Sequence, residues 1–82
     1  MTDLQRRALI SAPLNSWFVV SELRGLNTSL GAAGAAVRHM AKAGLLEKQW
    51  ADREQRFNKR VWCYRLTEAG RKARKLLERE RP

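Results

Sequence analysis

The chain has 82 residues, about half the usual size of a domain, so we expect one compact domain without a separate catalytic or sensory module. Hydrophobic residues make up 44% and charged residues 30%, a mixture that excludes a wholly disordered chain. Seventeen Lys and Arg against eight Asp and Glu leave a net charge of +9, which makes a polyanion the expected partner.

Other classes of protein are excluded by what the sequence lacks. No apolar run approaches the ~18 to 20 residues that span a bilayer, and no long apolar segment follows the charges of MTDLQRRALI. We therefore expect a cytoplasmic protein without a membrane partner. The single cysteine, Cys63, and the single histidine, His39, cannot form an internal disulfide or a structural zinc site. We expect no metal and no cofactor.

The first predicted helix covers residues 3–11. Thr2 and Gln5 have the spacing of a capping box, and Pro13 closes the helix because the residue before a proline avoids helical conformations. Residues 17–20, WFVV, form a short aromatic and β-branched run that predicts a brief strand or an extended entry into the next helix. We expect this run to be buried.

Two further helices are predicted in the middle of the chain. A helix of about two turns fits residues 20–26, because Leu23 and Leu26 stand three apart, and Asn27 should end it. Ser29 then caps a longer helix that continues to about residue 43, and Gly44 suits the position after its end. The predicted inner stripe of that longer helix consists of Leu30, Ala33, Ala36 or Val37, and Met40.

The last third predicts a hairpin and a basic helix. Residues 45–50 and 60–66 have strand character, and ADREQRFNK between them reads as an exposed tip of about nine residues. Trp62, Tyr64 and Leu66 alternate on the face expected to be buried. Thr67 caps a helix over about residues 68–80, whose narrow apolar stripe is formed by Ala69, Ala73, Leu76 and Leu77.

This order of elements is that of a winged helix-turn-helix domain. Residues 20–48, VSELRGLNTSLGAAGAAVRHMAKAGLLEK, resemble the helix-turn-helix of the MarR, PadR and ArsR regulator families. Residues 64–73, YRLTEAGRKA, are similar to the junction between wing and helix in PadR and MarR proteins. The resemblance implies a mostly helical α+β fold in one domain, residues 1–82. Its helix-turn-helix would cover about residues 20–43, its wing about 45–66 and its C-terminal helix about 68–80.

The resemblance also implies which residues meet DNA. The third helix would be the recognition helix, and residues 50–60 would reach the backbone or the minor groove. A major groove about 12 Å wide admits a helix. From this helix Arg38 could reach a guanine or a phosphate, and the small residues Ala32 and Ala35 could touch thymine methyl groups. The expected DNA-binding residues are Ser29, Gly31, Ala32, Ala35, Arg38 and Lys42 in the helix, with Arg53, Arg56, Lys59 and Arg60 in the hairpin. Recognition helices of these families usually carry several polar or basic side chains that contact bases, whereas this helix has few such side chains before Arg38.

Two features leave alternatives open. Trp17, Trp50, Trp62 and Tyr64 could stack on unpaired bases, although packing in the core or in an interface is the preferred interpretation. Leu76 and Leu77 could pack on the first helix, or they could meet the same residues of a second copy in a homodimer. The MarR and PadR relatives usually dimerise through longer helices than this chain can form, and no ligand pocket is expected.

The sequence therefore predicts a small transcriptional regulator that binds double-stranded DNA with sequence preference, associated with the nucleoid when bound. No pairing of a nucleophile with a base, no paired catalytic carboxylates and no phosphate-binding glycine loop can be assembled, so no enzymatic activity is expected. Two alternatives remain: a winged-helix module that docks an acidic protein partner, and an architectural DNA-binding accessory protein.

Overall fold

In the part of the chain that the structure describes, three α-helices and a two-stranded antiparallel sheet form an α+β fold. The computed structural model describes the backbone of residues 1–54 and 59–80 and the side chains of residues 1–50 and 61–80. The elements are α1 (Asp3–Ser11), a 3₁₀ turn (Val20–Glu22), α2 (Leu30–Lys42), β1 (Leu46–Glu54), β2 (Lys59–Leu66) and α3 (Glu68–Arg79). This confirms the predicted α+β class and three of the four predicted helices.

Each of the three α-helices begins at the capping residue that the sequence predicts. The Gln5 amide donates to the Thr2 hydroxyl over 3.1 Å, and the Thr2 amide donates back to the Gln5 side chain over 3.2 Å. Ser29 accepts from the amide three residues later, as Thr67 does at the start of α3. After α2, Gly44 adopts a positive φ of 85°, which glycine reaches without a steric penalty.

The predicted helix over residues 20–26 is wrong, because only the single 3₁₀ turn forms there. Gly25 and Asn27 both have positive φ angles, 74° and 52°, and such conformations cannot continue a right-handed helix. The Arg24 carbonyl accepts a hydrogen bond of 2.9 Å from the Ser11 hydroxyl instead of from a helical amide. Leu26 is nevertheless buried, so this apolar residue reaches the core from a turn instead of from a helix.

The short strand expected at residues 17–20 is reduced to a single bridge. Phe18 pairs with Tyr64 through two backbone hydrogen bonds of 2.8 Å, one in each direction, along β2. Phe18 is fully buried, as predicted for the run, whereas Trp17, Val19 and Val20 are only partly buried. Phe18 therefore fastens the segment between α1 and α2 to the hairpin.

The hairpin is longer than the sequence predicts. Its strands pair from Leu46 opposite Leu66 as far as Glu54 opposite Lys59, with a bulge between Asp52 and Glu54. The nine-residue tip is therefore a wrong prediction, since residues 51–54 and 59 continue the strands. Backbone amides and carbonyls pair regardless of side-chain polarity, so the charged composition that suggested a loop does not end the pairing. Residues 55–58 lie outside the described residues.

The core is assembled from every region of the fold. Its largest fully buried side chains are Leu9, Phe18, Val37 and Leu66, which come from α1, the bridge, α2 and β2. On α2 the buried stripe contains Ala33, Ala36, Val37 and Met40 as predicted. Leu30 does not belong to it, because its side chain is 63% exposed. Leu30 is the first residue of α2, where the helix has not yet reached the core.

The start of α3 is fastened closely to the junction between α2 and β1. The Thr67 hydroxyl donates to the Gly44 carbonyl over 2.6 Å, and the Thr67 amide donates to the Leu45 carbonyl over 3.1 Å. Gly70 is buried at this contact, where a Cβ atom would lie only 2.0 Å from the Leu45 carbonyl oxygen. A glycine is therefore required at position 70 for α3 to approach the rest of the fold.

Candidate nucleic-acid interface

One face of α2 carries the residues predicted to meet DNA. Gly31, Arg38 and Lys42 are exposed on it, and Ala32 and Ala35 are partly buried. His39 lies beside the two cations, and with Ala35, Arg38 and Lys42 it lines a shallow depression of about 240 Å³. The predicted α2 residues are thus brought together on one helical surface, small in its first half and cationic in its second half.

Ser29 has a structural role at the start of this surface. Its hydroxyl oxygen accepts from the Ala32 amide over 3.2 Å and so caps α2. The hydroxyl hydrogen can still donate to a phosphate oxygen, because a serine hydroxyl is both a donor and an acceptor. Ser29 is exposed and can therefore cap the helix and contact a ligand at the same time.

The Arg38 side chain extends back along α2 toward the small residues. A Cβ atom built on Gly34 would lie 3.4 Å from Nη1 of Arg38, which places the guanidinium one turn before its own Cα. This is the usual direction of long side chains on a helix. The positive charge of Arg38 consequently lies toward the first half of the α2 surface, which has no cation of its own.

Arg38 also acts electrostatically on the hairpin. Burial raises the pKa of the Tyr64 hydroxyl above its ordinary value, and the nearby Arg38 guanidinium opposes that rise because it favours the phenolate. The two groups are therefore close enough to interact, although one lies on α2 and the other on β2.

Several other cations are neutralised within the fold. Arg65 on β2 forms an ion pair with Glu47 on β1, and its guanidinium lies 4.5 Å from the centre of the Trp17 ring. On α3, Arg74 pairs with Glu78 and also donates to the Ala12 carbonyl. In the described part of the chain, no acidic side chain forms such a pair with Arg38, Lys42 or Lys48.

The four predicted DNA-binding residues of the hairpin are only partly placed. Arg53 belongs to β1, and Lys59 and Arg60 begin β2, with Lys59 opposite Glu54 and Arg60 opposite Asp52. Their side chains, and Arg56 as a whole, lie outside the described residues. The contact between these cations and a phosphate backbone stays a prediction.

The aromatic residues of the hairpin depart from the expected core. Tyr64 is buried as expected, but Trp50 is 51% and Trp62 is 46% exposed. Their ring centres are 5.2 Å apart in an edge-to-face arrangement, and Nζ of Lys48 lies 4.7 Å from the centre of the Trp62 ring. This pair is therefore not packed in the core, and its packing in an interface stays a prediction. The strand alternation gave the right face, but the helices cover that face only as far as Tyr64.

The two leucines predicted for dimerisation differ in their surroundings. Leu76 is 58% exposed, whereas Leu77 is partly buried against the protein's own core. Helix α3 also packs on α1. Leu76 therefore offers more surface to a second copy than Leu77 does.

The described residues show neither a metal site nor a membrane-spanning helix. No group of three or more His, Cys, Asp or Glu side chains among residues 1–50 and 61–80 is arranged to hold a metal ion. Within the same part of the chain, no helix has both the length and the apolar character needed to cross a membrane. Cys63 is a buried free cysteine.

Comparison with known proteins adds no relative. No protein-family model, no curated protein and no solved structure matches the chain.

Proposed function

We propose that the protein is a small winged helix-turn-helix regulator that binds duplex DNA with sequence preference. In this proposal α2 enters the major groove, and the β1–β2 hairpin follows the neighbouring backbone or minor groove. The observation that carries the proposal is the exposed face of α2, where Arg38 and Lys42 lie beside residues small enough to let the helix backbone approach base edges.

The order of the elements supports the same conclusion. A helix that presents a cationic face is followed directly by a two-stranded hairpin and a closing helix, as in a winged helix-turn-helix. The first helix of that motif is replaced by the 3₁₀ turn at Val20–Glu22, which leaves α2 supported by α1 and by the turn. The surface that meets DNA depends on α2 and the hairpin, and both are present.

The two halves of α2 have different roles in the proposal. Arg38 can form a two-pronged contact with guanine, which discriminates a correct from an incorrect base by about 1–3 kcal/mol. Lys42, one turn later, is suited to a phosphate, which contributes affinity without sequence information. The methyl groups of Ala32 and Ala35 can contact thymine. Sequence preference should therefore be modest and concentrated at a few base pairs.

Salt dependence of binding to one duplex tests this assignment. Each phosphate contact that is lost should reduce the slope of log K against log salt concentration by about 0.9. The double variant Arg38→Ala/Lys42→Ala should therefore bind with a slope smaller by up to about 1.8 if both cations meet phosphates. The matched control is Lys75→Ala/Arg79→Ala, which removes the same charge from exposed positions of α3. Equal slopes for the two double variants would remove α2 from the interface.

One observation favours a second function, docking of an acidic protein. Leu30 is 63% exposed at the start of α2, where it lines a depression of about 340 Å³ together with Val20 and Leu23. Under this alternative, Leu30→Gln should abolish partner binding and Arg38→Ala should weaken it. An unchanged affinity of Leu30→Gln for duplex DNA, with the loss seen in the α2 double variant, would favour DNA as the partner.

A further inference from the structure

The exposed pair of Trp50 and Trp62 has no role in the proposed contact between α2 and a duplex. The two residues lie directly opposite each other in the hairpin register, and about half of each side chain is open to solvent. Tryptophan is costly to expose, and the two indoles together form an apolar patch on an otherwise strongly charged protein. Such a patch indicates a binding surface.

The position of the pair explains why its exposure is built into the fold. On β2 the same face carries Leu66, Tyr64 and Trp62 in turn, and the first two are buried while the third is not. The hairpin therefore extends beyond the helices that cover its base. The tryptophans lie at the point where the inner face leaves the core, and their mutual edge-to-face contact keeps them in place.

The positive charges around Trp50 and Trp62 indicate which kind of ligand would bind there. The Lys48 ammonium lies 4.7 Å from the Trp62 ring centre, and Arg38 acts on Tyr64, the next residue inward on the same face. The whole chain carries +9. A second copy would bring the same positive charge to this surface, whereas a nucleic-acid strand brings both negative phosphates and flat rings.

We propose that Trp50, Trp62 and Lys48 form a platform on which unpaired bases of a nucleic-acid strand stack. The bases would stack on the indole rings, and the Lys48 ammonium would bind a neighbouring phosphate. This proposal shares the nucleic-acid partner with the proposed function but uses another surface and another form of the strand. The natural target would be a duplex with an adjoining unpaired segment, which contacts α2 and the platform together.

The test compares three DNA ligands that share one duplex. The first is blunt, the second carries a single-stranded tail, and the third carries the same tail with abasic sites, which keep the phosphates and remove the rings. Loss of the stacking of one base lowers affinity about 5- to 150-fold, so the intact tail should bind that much more tightly than the abasic tail. Equal affinity for the two tails would overturn the platform.

Variants test whether Trp50 and Trp62 cause the difference in affinity between the intact and the abasic tail. Trp50→Leu/Trp62→Leu should abolish the difference in affinity between the two tails, whatever its affinity for the blunt duplex, and Trp62→Phe should keep part of the preference. The control Trp17→Leu changes the remaining tryptophan, whose ring is covered by Arg65, and should keep the preference in full. Circular dichroism of each variant checks that the fold is intact. A double variant that still prefers the intact tail would contradict the proposal.

The outcomes separate this proposal from the duplex-binding proposal. If the blunt duplex does not bind but the intact tail is still preferred over the abasic one, the platform is supported and the role of α2 fails. If the blunt duplex binds and the tails are equal, the platform fails alone. If the tails are equal and Trp50→Leu/Trp62→Leu dissociates a dimer in sedimentation, the pair is an interface between copies and the platform is overturned.

Discussion

Replacing Gly70 by alanine should destabilise the protein strongly, although alanine is the better helix former. The added Cβ would lie 2.0 Å from the Leu45 carbonyl oxygen and 3.2 Å from Cδ2 of Leu66. The first of these contacts is with backbone, so it cannot be relieved by rotating a side chain. The start of α3 would have to move away by more than 1 Å to reach an ordinary contact distance of about 3.4 Å.

The magnitude follows from the contacts that such a movement breaks. Two hydrogen bonds from Thr67, to the carbonyls of Gly44 and Leu45, are each worth about 1 kcal/mol net. The steric conflict adds about 1–3 kcal/mol, and the helix propensity of alanine returns about 1 kcal/mol. The free energy of unfolding should therefore fall by about 2–4 kcal/mol, which lowers the Tm of a domain of this size by at least about 10 °C.

The chain offers a matched control in Gly31→Ala. This glycine is also helical, but a Cβ built on it meets no atom within 4 Å. The same substitution should there be neutral or raise the free energy of unfolding by up to about 1 kcal/mol. Thermal unfolding followed by circular dichroism measures both variants. A Gly70→Ala protein as stable as Gly31→Ala would refute the reasoning, because it would mean that α3 does not approach Leu45 closely.

Three further predictions concern other parts of the fold. Because burial raises the folded-state pKa of Tyr64, the free energy of unfolding should fall as the pH rises above about 10. Arg38→Ala should move the absorbance titration of this single tyrosine to still higher pH. An unchanged titration midpoint would mean that Arg38 does not act on the Tyr64 hydroxyl. Thr67→Ala should lower the free energy of unfolding by about 1–2 kcal/mol in urea, whereas Thr67→Ser should keep most of it, and equal losses would argue against the cap. Sedimentation should give a dimer for the protein and a monomer for Leu76→Glu, and a monomeric protein at all concentrations would exclude the α3 interface.

The parts of the fold that could be predicted are those encoded locally. A cap needs only a side chain and an amide three residues apart, and the caps at Thr2, Ser29 and Thr67 all form as predicted. The burial of Val37 and Met40 follows from helical spacing in the same way. The exposed cationic face of α2, with Arg38 and Lys42, is the other side of that pattern.

The parts that could not be predicted depend on distant contacts. Leu23 and Leu26 have a spacing that suits a helix, but the Arg24 carbonyl is bound by the distant Ser11 hydroxyl and not by a helical amide. The length of the hairpin is set by backbone pairing, and side-chain polarity does not predict where that pairing ends. The exposure of Trp50 and Trp62 depends on where the helices stop covering the sheet, and no local pattern in the sequence records that position.

Selection from a random duplex library tests the central claim, that the protein binds duplex DNA with sequence preference, most directly. At about 150 mM salt, where backbone binding alone is weakened, the protein should retain duplexes that share a short motif. Arg38→Ala should relax the preference at one position of that motif, because a contact to one base is lost. No enriched motif, with retention that disappears as salt rises, would contradict sequence preference and favour architectural binding. No retention of duplex at any salt concentration would contradict DNA binding by α2.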